Sequence, residues 1–216
     1  MELNVNYETY EDMLKDQPSI SNQDFVPIIV SDIFSEDQIS RIYDTVEKTP
    51  ESSTRIQPWA GHKVWDVHFD KDIEDAITLA AQKALGPHVE LRGDYSFARY
   101  SKDFGYETKL FPHYDTREAQ RITFDIQLNA NYPWAVVVER EPYYLNNNEA
   151  LMFAGTQQIH WREQKDMPAD AITDMIFCHL QYTYEMPLDA GQDEILQARA
   201  LFLMKETQIS NEEVRI

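Results

Sequence analysis

The segment LFPHYDT, residues 110–116, sets His113 and Asp115 one residue apart. Residues i and i+2 of an extended chain project from the same face, so an imidazole and a carboxylate at this spacing can bind one ion together. Chance often supplies a His-x-Asp pair, and the plain reading is two solvated polar side chains. A metal centre needs a third ligand returning from a distant strand, and His160 in GTQQIHWRE is the candidate. Two imidazoles and one carboxylate make a facial set suited to Fe(II), because the coordination positions left open can take O2 and a bidentate organic acid side by side.

The remaining histidines and the cysteine have blander readings. His62 and His68 flank KVWDV with no third ligand in view, and read as surface or substrate-loop residues. His88 follows Pro87 and a helix stop, and reads as exposed. His179 lies in a strand whose alternation can turn it inward, as a core imidazole or a pocket residue. Cys178, the single cysteine, can form neither an internal disulfide nor a thiolate zinc site, and reads as a small core hydrophobe. Trp134 and Trp161 read as packing anchors.

These residues need elements to carry them. Residues 1–24 are polar and irregular, an N-terminal arm that is loosely held or a short helix, and residues 25–216 read as a single domain. DFVPIIV reads as a strand. FSEDQISRIYDTVEK follows as a helix, with Ser35 and Gln38 at capping-box spacing and Ile39, Ile42, Tyr43 and Val46 on one face. TPESSTRIQPWAG reads as a polar loop. A second helix, DKDIEDAITLAAQKALG, presents Ile73, Ile77, Ala80, Ala81 and Leu85 and stops at Gly86. From about residue 90 the period changes to short segments rich in β-branched and aromatic residues: VELRGDYSFARYS, RITFDIQLN, WAVVVERE, EALMFAG, QQIHWRE and ITDMIFCHLQYTYE. The pattern predicts a mainly β fold with supporting helices, an antiparallel sandwich or jelly roll. DEILQARALFLMKE returns to a helix whose Ile195, Leu196, Leu201, Phe202 and Leu203 pack on the fold or on a second subunit, which leaves room for a homodimer.

Lys and Arg number 19 against 38 Asp and Glu, a net charge of -19 that repels phosphate backbones and anionic lipid surfaces, so a nucleic-acid or membrane role is not expected. MELNVNYETYEDMLK lacks the basic and apolar regions of a signal peptide, and no stretch is long and apolar enough to cross a bilayer. With the lone cysteine, this leads to the expectation of a cytoplasmic protein.

The order of the pieces is more specific than any one of them. A strand carrying FARYS, a glycine-containing loop, PHYD, the strand RITFDIQLN, a hairpin with Trp134, an acidic turn before ALMFAG, and HWRE follow one another. This order resembles the Fe(II)- and 2-oxoglutarate-dependent dioxygenases, in particular the prolyl-4-hydroxylase-like branch, over roughly residues 24–184. The resemblance implies a double-stranded β-helix, a cupin-like jelly roll, with the two helices as outer supports. It puts His113, Asp115 and His160 at the metal-ligand positions. It implies Fe(II) and 2-oxoglutarate as cofactors, with O2 and a small molecule or peptide as reaction partners. The reaction would hydroxylate an unactivated C–H bond and release succinate and CO2. The presence of Asp115 disfavours the family's halogenase variation, in which a small residue vacates that position.

A departure concerns the co-substrate. The branch usually anchors the far carboxylate of 2-oxoglutarate with an Arg or Lys on the strand after the distal histidine, and ITDMIFCHLQY has no cation. An arginine fork is the fitting group for a carboxylate in a partly buried site. Arg162, two residues after His160, is the first choice, against the alternative that it pairs with Glu163 or another acid at the rim. Arg99 and Arg121 are the reserves, as alternative anchors or substrate contacts. Tyr100 and Gln127 match pocket-lining positions of the branch, although both also read as core-facing polar residues. Arg99 and Tyr100 are rivals, because neighbours on a strand face opposite ways. Arg55, Trp59, His62 and Trp65, with the loop between Asp115 and Arg121, would line the entrance. Two other readings remain: a jelly-roll metalloenzyme that does not use 2-oxoglutarate, and a binding or structural jelly roll with no working metal site.

Overall fold

A computed structural model describes residues 8–16, 25–58, 60–115, 122–163, 165–183 and 199–204, and among them ten strands and three helices follow one another ahead of a helical segment at 199–204. Helix α1 spans Tyr10–Asp16, and strand β1 spans Ile28–Ser31. Helix α2 (Glu36–Lys48) starts at the expected capping box: Ser35 accepts from the Gln38 amide, and Gln38 accepts in return from the Ser35 amide. The expected polar loop then departs from prediction. Its residues fold into a 3-10 turn and strand β2 (Thr54–Gln57), which pairs with β3 (His62–Trp65). These short segments show little apolar alternation of their own, and β3 gains its place by pairing with the long strand β4.

Helix α3 (Lys71–Leu85) buries Ile73, Ile77, Ala80 and Ala81 and ends at Gly86, whose φ of 89° suits a residue without a side chain. β4 (Val89–Ser101), β5 (Ile122–Ala130), β6 (Val136–Val138), β7 (Glu141–Tyr143), β8 (Glu149–Phe153), β9 (His160–Arg162) and β10 (Ile172–Tyr182) complete the chain's strands.

The strands form a seven-stranded sheet in the order β1-β8-β5-β10-β4-β3-β2 and a three-stranded sheet, β7-β6-β9, with every pairing antiparallel. Two antiparallel sheets with helices packed outside give the double-stranded β-helix, or jelly-roll, architecture.

The large sheet is covered on both faces. Its outer face meets α2 and α3 in a core that includes Ile42, Ile73, Ile77, Phe97, Phe124, Ile126, Met152 and Ile176. Alternation sends the intervening residues, Thr123, Asp125 and Gln127 on β5 among them, toward the small sheet. This explains why nearly all of β5 is buried although its inner-facing positions are polar. Cys178 is buried in the outer core, as expected. Trp65 also packs there, so it does not line an entrance.

The N-terminal arm forms a docked helix where the structure describes it. Tyr10 is fully buried, clusters with Val137, Ile159, Trp161 and Leu203, and donates its hydroxyl to Glu139. Residues 199–204 are helical and bury Leu203 and Met204 on the chain's own fold, while Leu201 is exposed. Ile195 and Leu196 lie outside the described residues. Among the described residues, no helix is long and apolar enough to cross a membrane.

Candidate metal centre

The backbone brings the two histidines together. His113 and His160 form an antiparallel bridge in which each amide donates to the other's carbonyl at 3.0 Å. Residues directly opposite in such a pair project from the same face, and the imidazole centroids are 4.2 Å apart. Asp115 follows two residues after His113 and fixes its own backbone by donating its amide to the Gly155 carbonyl at 2.9 Å. Its Oδ1 lies 4.0 Å from His113 Nε2 and 3.6 Å from His160 Nε2. The three candidate ligand atoms all fall within 4.8 Å of one another, so one ion can engage them together.

The surrounding hydrogen bonds point these atoms inward. His113 Nδ1 meets the Phe111 carbonyl at 2.9 Å and His160 Nδ1 meets the Gln158 carbonyl at 3.1 Å. A carbonyl only accepts, so each Nδ1 carries the proton and each Nε2 lone pair faces the site. Thr123 donates its hydroxyl to Asp115 Oδ2, leaving Oδ1 as the ligand atom. Gly155 seals this arrangement: a Cβ there would sit 2.0 Å from both Asp115 Oδ2 and Thr123 Oγ1. The donor set is therefore the two-histidine, one-carboxylate facial triad, and its chemistry fits Fe(II).

The electrostatics follow from burial and close neighbours. Burial pushes Asp115 up, but His160, His113 and His179 outweigh it and hold the carboxylate well below the usual range. Burial and His160 push His113 down to about 4. For His160, burial opposes protonation, yet Asp115 beside it moves the imidazole upward.

The triad opens into a cavity of about 220 Å³ between the sheets, whose lining includes His62, Tyr100, Asp125, Phe177 and His179. His62 is 4% exposed, which corrects the expectation of a surface residue: pairing with Tyr100 across β3 and β4 turns it inward. Its Nε2 meets Gln57 Oε1, its ring stands edge-on to Tyr100 at 4.7 Å, and burial drives it down to about 4. His179 is a pocket residue, with Nε2 4.0 Å from Asp115 Oδ2. His68 and His88 are exposed, as expected.

Arg162 is 2% exposed and shares the strand face of His160. The alternative pairing with Glu163 does not form: Glu163 engages Lys165 and Tyr144 instead. The guanidinium donates to the Trp134 carbonyl at 2.8 Å and to the weak acceptor Met175 Sδ at 3.2 Å, and lies 4.9 Å from the Trp134 ring and 5.6 Å from the Tyr100 ring. Among the described residues no carboxylate reaches it within 4.0 Å. Nearby, the buried Tyr100 and Thr173 hydroxyls have no acceptor among the described residues, and these two residues face each other across β4 and β10.

Strand alternation separates the rivals on β4. Tyr100 faces the cavity, whereas Arg99 faces the helices and is committed to Asp174 through contacts of 2.6 and 2.9 Å. The reserve role suggested for Arg99 is thus corrected by the parity of its strand. Gln127 points to the inner face but donates to the Leu145 carbonyl and does not line the cavity. Arg121 and Trp59 lie outside the described residues. Thr123, Gly155, Thr173 and Asp125 carry no sequence signal of a site role of their own. Strand parity relative to His113 and His160 is the signal that could flag Thr123, Asp125 and Thr173, and the turn glycine Gly155 has none.

No family model matches the chain, and no curated protein matches it. Similar solved structures share its fold. An oxidoreductase of the 2OG-Fe(II) oxygenase family from Burkholderia pseudomallei is 13% identical, with a TM-score of 0.52 over 83% of this chain and 92% of that one. The non-heme alpha-ketoglutarate-dependent epimerase SnoN from nogalamycin biosynthesis is 11% identical, with a TM-score of 0.52 over 84% and 95% of the two chains. HygX from Streptomyces hygroscopicus, solved with nickel, 2-oxoglutarate and hygromycin B bound, is 7% identical, with a TM-score of 0.50 over 71% and 82%. At these identities the likeness is one of fold.

Proposed function

We propose that this chain is an Fe(II)- and 2-oxoglutarate-dependent oxygenase of the prolyl-4-hydroxylase-like kind, which hydroxylates a C–H bond of a small molecule or a peptidyl residue. The observation that carries this reading is the pairing of two features between the same sheets. One is a facial triad. The other is a buried group of donors that no carboxylate reaches among the described residues: the Arg162 guanidinium, which donates to the Trp134 carbonyl and the weak acceptor Met175 Sδ, and the Tyr100 and Thr173 hydroxyls. Arg162, Tyr100 and Thr173 offer a guanidinium and two hydroxyls to whatever enters, and a carboxylate is the acceptor that satisfies all three at once. A dicarboxylate chelating a metal at the triad through one end would present its other end to such a group.

Fe(II) and 2-oxoglutarate, when bound, would let O2 be reduced at the site and so supply an oxidant able to break an unactivated C–H bond. The protein's own residues have other tasks. His113, Asp115 and His160 would hold the ion from one side, and Thr123 keeps Asp115 in a single orientation. Arg162 and Tyr100, with Thr173, would orient the co-substrate.

Anaerobic titration of the metal-free protein with Fe(II) and then 2-oxoglutarate tests the reading. A visible charge-transfer band that requires both and vanishes in His160→Ala is the expected result. Iron binding without the band would favour a jelly-roll metalloenzyme that does not use 2-oxoglutarate. Absence of iron binding would leave a binding or structural jelly roll.

A further inference from the structure

Asp125 has no place in the metal or co-substrate machinery, yet it is 7% exposed and lines the cavity. Its carboxyl makes no hydrogen bond and no ion pair with any described residue. A buried carboxyl in that condition lacks the partners that normally offset its desolvation. It lies on β5 two residues beyond Thr123, which braces Asp115, and faces Phe177 across β10, so an aromatic ring stands beside it on the cavity wall.

The charges around it identify what is missing. This step rests on the oxygenase reading. Among the described residues, a divalent metal with Asp115 and a doubly charged co-substrate with Arg162 would leave the filled site electrically neutral apart from Asp125. Arg55, an arginine of the cavity wall, is already paired with Asp66 at 2.5 Å. Burial favours the neutral acid, so Asp125 is ionised only beside a positive charge, and the substrate is the component not yet in place. We propose that Asp125 recognises a protonated basic nitrogen, which makes the substrate class a small amine whose hydrocarbon part packs against Phe177. A buried carboxylate and ammonium form a charge-assisted hydrogen bond, and the aromatic face adds cation–π attraction.

The test uses the full chain loaded with diamagnetic Zn(II) and 2-oxoglutarate, and saturation-transfer NMR with three probes matched in shape: cyclohexylamine, cyclohexanol and cyclohexanecarboxylate. The amine is expected to bind about tenfold or more tightly than the alcohol, and the carboxylate least. In Asp125→Asn the preference for the amine disappears while Zn(II) and 2-oxoglutarate are still taken up. Equal binding of alcohol and amine, or preference for the carboxylate, overturns the inference. The second outcome would mean that Asp125 acts as a neutral acid donating to an anion. Should the variant fail to fold, the comparison of amine and alcohol on the unaltered chain decides by itself. Failure to take up Zn(II) and 2-oxoglutarate would overturn the oxygenase reading and this one with it, whereas uptake without amine preference overturns this one alone.

Discussion

Single atoms around Asp115 decide whether a metal can be held. Gly155 leaves room for Asp115 Oδ2 and the Thr123 hydroxyl that fixes it, so Gly155→Ala must displace one or the other. Metal affinity is expected to fall roughly 10–100-fold, the usual effect of disturbing a ligand's supporting partner, and isothermal titration with Zn(II) would show it. Unchanged affinity would mean that Oδ2 is not held as described. Thr173→Val removes a buried hydroxyl that has no partner among the described residues. On the proposed function it should raise the KM for 2-oxoglutarate severalfold and leave metal affinity unmoved; an unaltered KM would remove Thr173 from the anchor. His62 gives a pH prediction. Burial lowers its folded-state value to about 4 from an ordinary value near 6.5. Between those limits the unfolded chain gains a proton that the folded chain does not, so stability is lost as pH falls from about 6.5 toward 4. His62→Gln should remove that loss, at most about 3 kcal/mol, in denaturant melts of the metal-free protein across this window.

Strands act through parity. β4 turns Tyr100 into the cavity and Arg99 onto the helices, where Arg99 forks Asp174 and Tyr43 donates to the same carboxylate. Asp174 is almost wholly buried, so Arg99→Ala leaves a carboxylate without its counter-charge and should cost about 3 kcal/mol. The same substitution should leave 2-oxoglutarate affinity unchanged. A variant of normal stability that binds 2-oxoglutarate poorly would place Arg99 on the wrong face. The sequence showed several of these elements well. The capping box at Ser35, the stop at Gly86 and the span of β4 are local signals, carried by side-chain-to-backbone bonds and a period of two. The β2–β3 hairpin was not legible, because its residues owe their strand conformation to β4 and not to their own pattern.

For the molecule as a whole, binding to the folded state alone adds stability by mass action, about 2.7 kcal/mol at a metal concentration 100 times Kd. Thermal melts with and without Fe(II) under anaerobic conditions should show this increment, and Asp115→Ala should abolish it while folding normally. A variant that keeps the metal-dependent gain would exclude Asp115 as a ligand. What the sequence by itself determined is the kind of chemistry available and the order of its parts: two histidines and an aspartate with strand spacing, a jelly-roll run of segments, and an acidic balance of charge. Those features depend on residue type and local period, which a single chain displays. Only the tertiary structure decided which groups meet. It paired His113 with His160 across a backbone bridge, separated Arg99 from Tyr100, gathered Arg162 and two buried hydroxyls, and left Asp125 in the cavity with no pair among the described residues. Such meetings are set by the register of strands distant in sequence, and a shift of one residue turns every side chain to the other face.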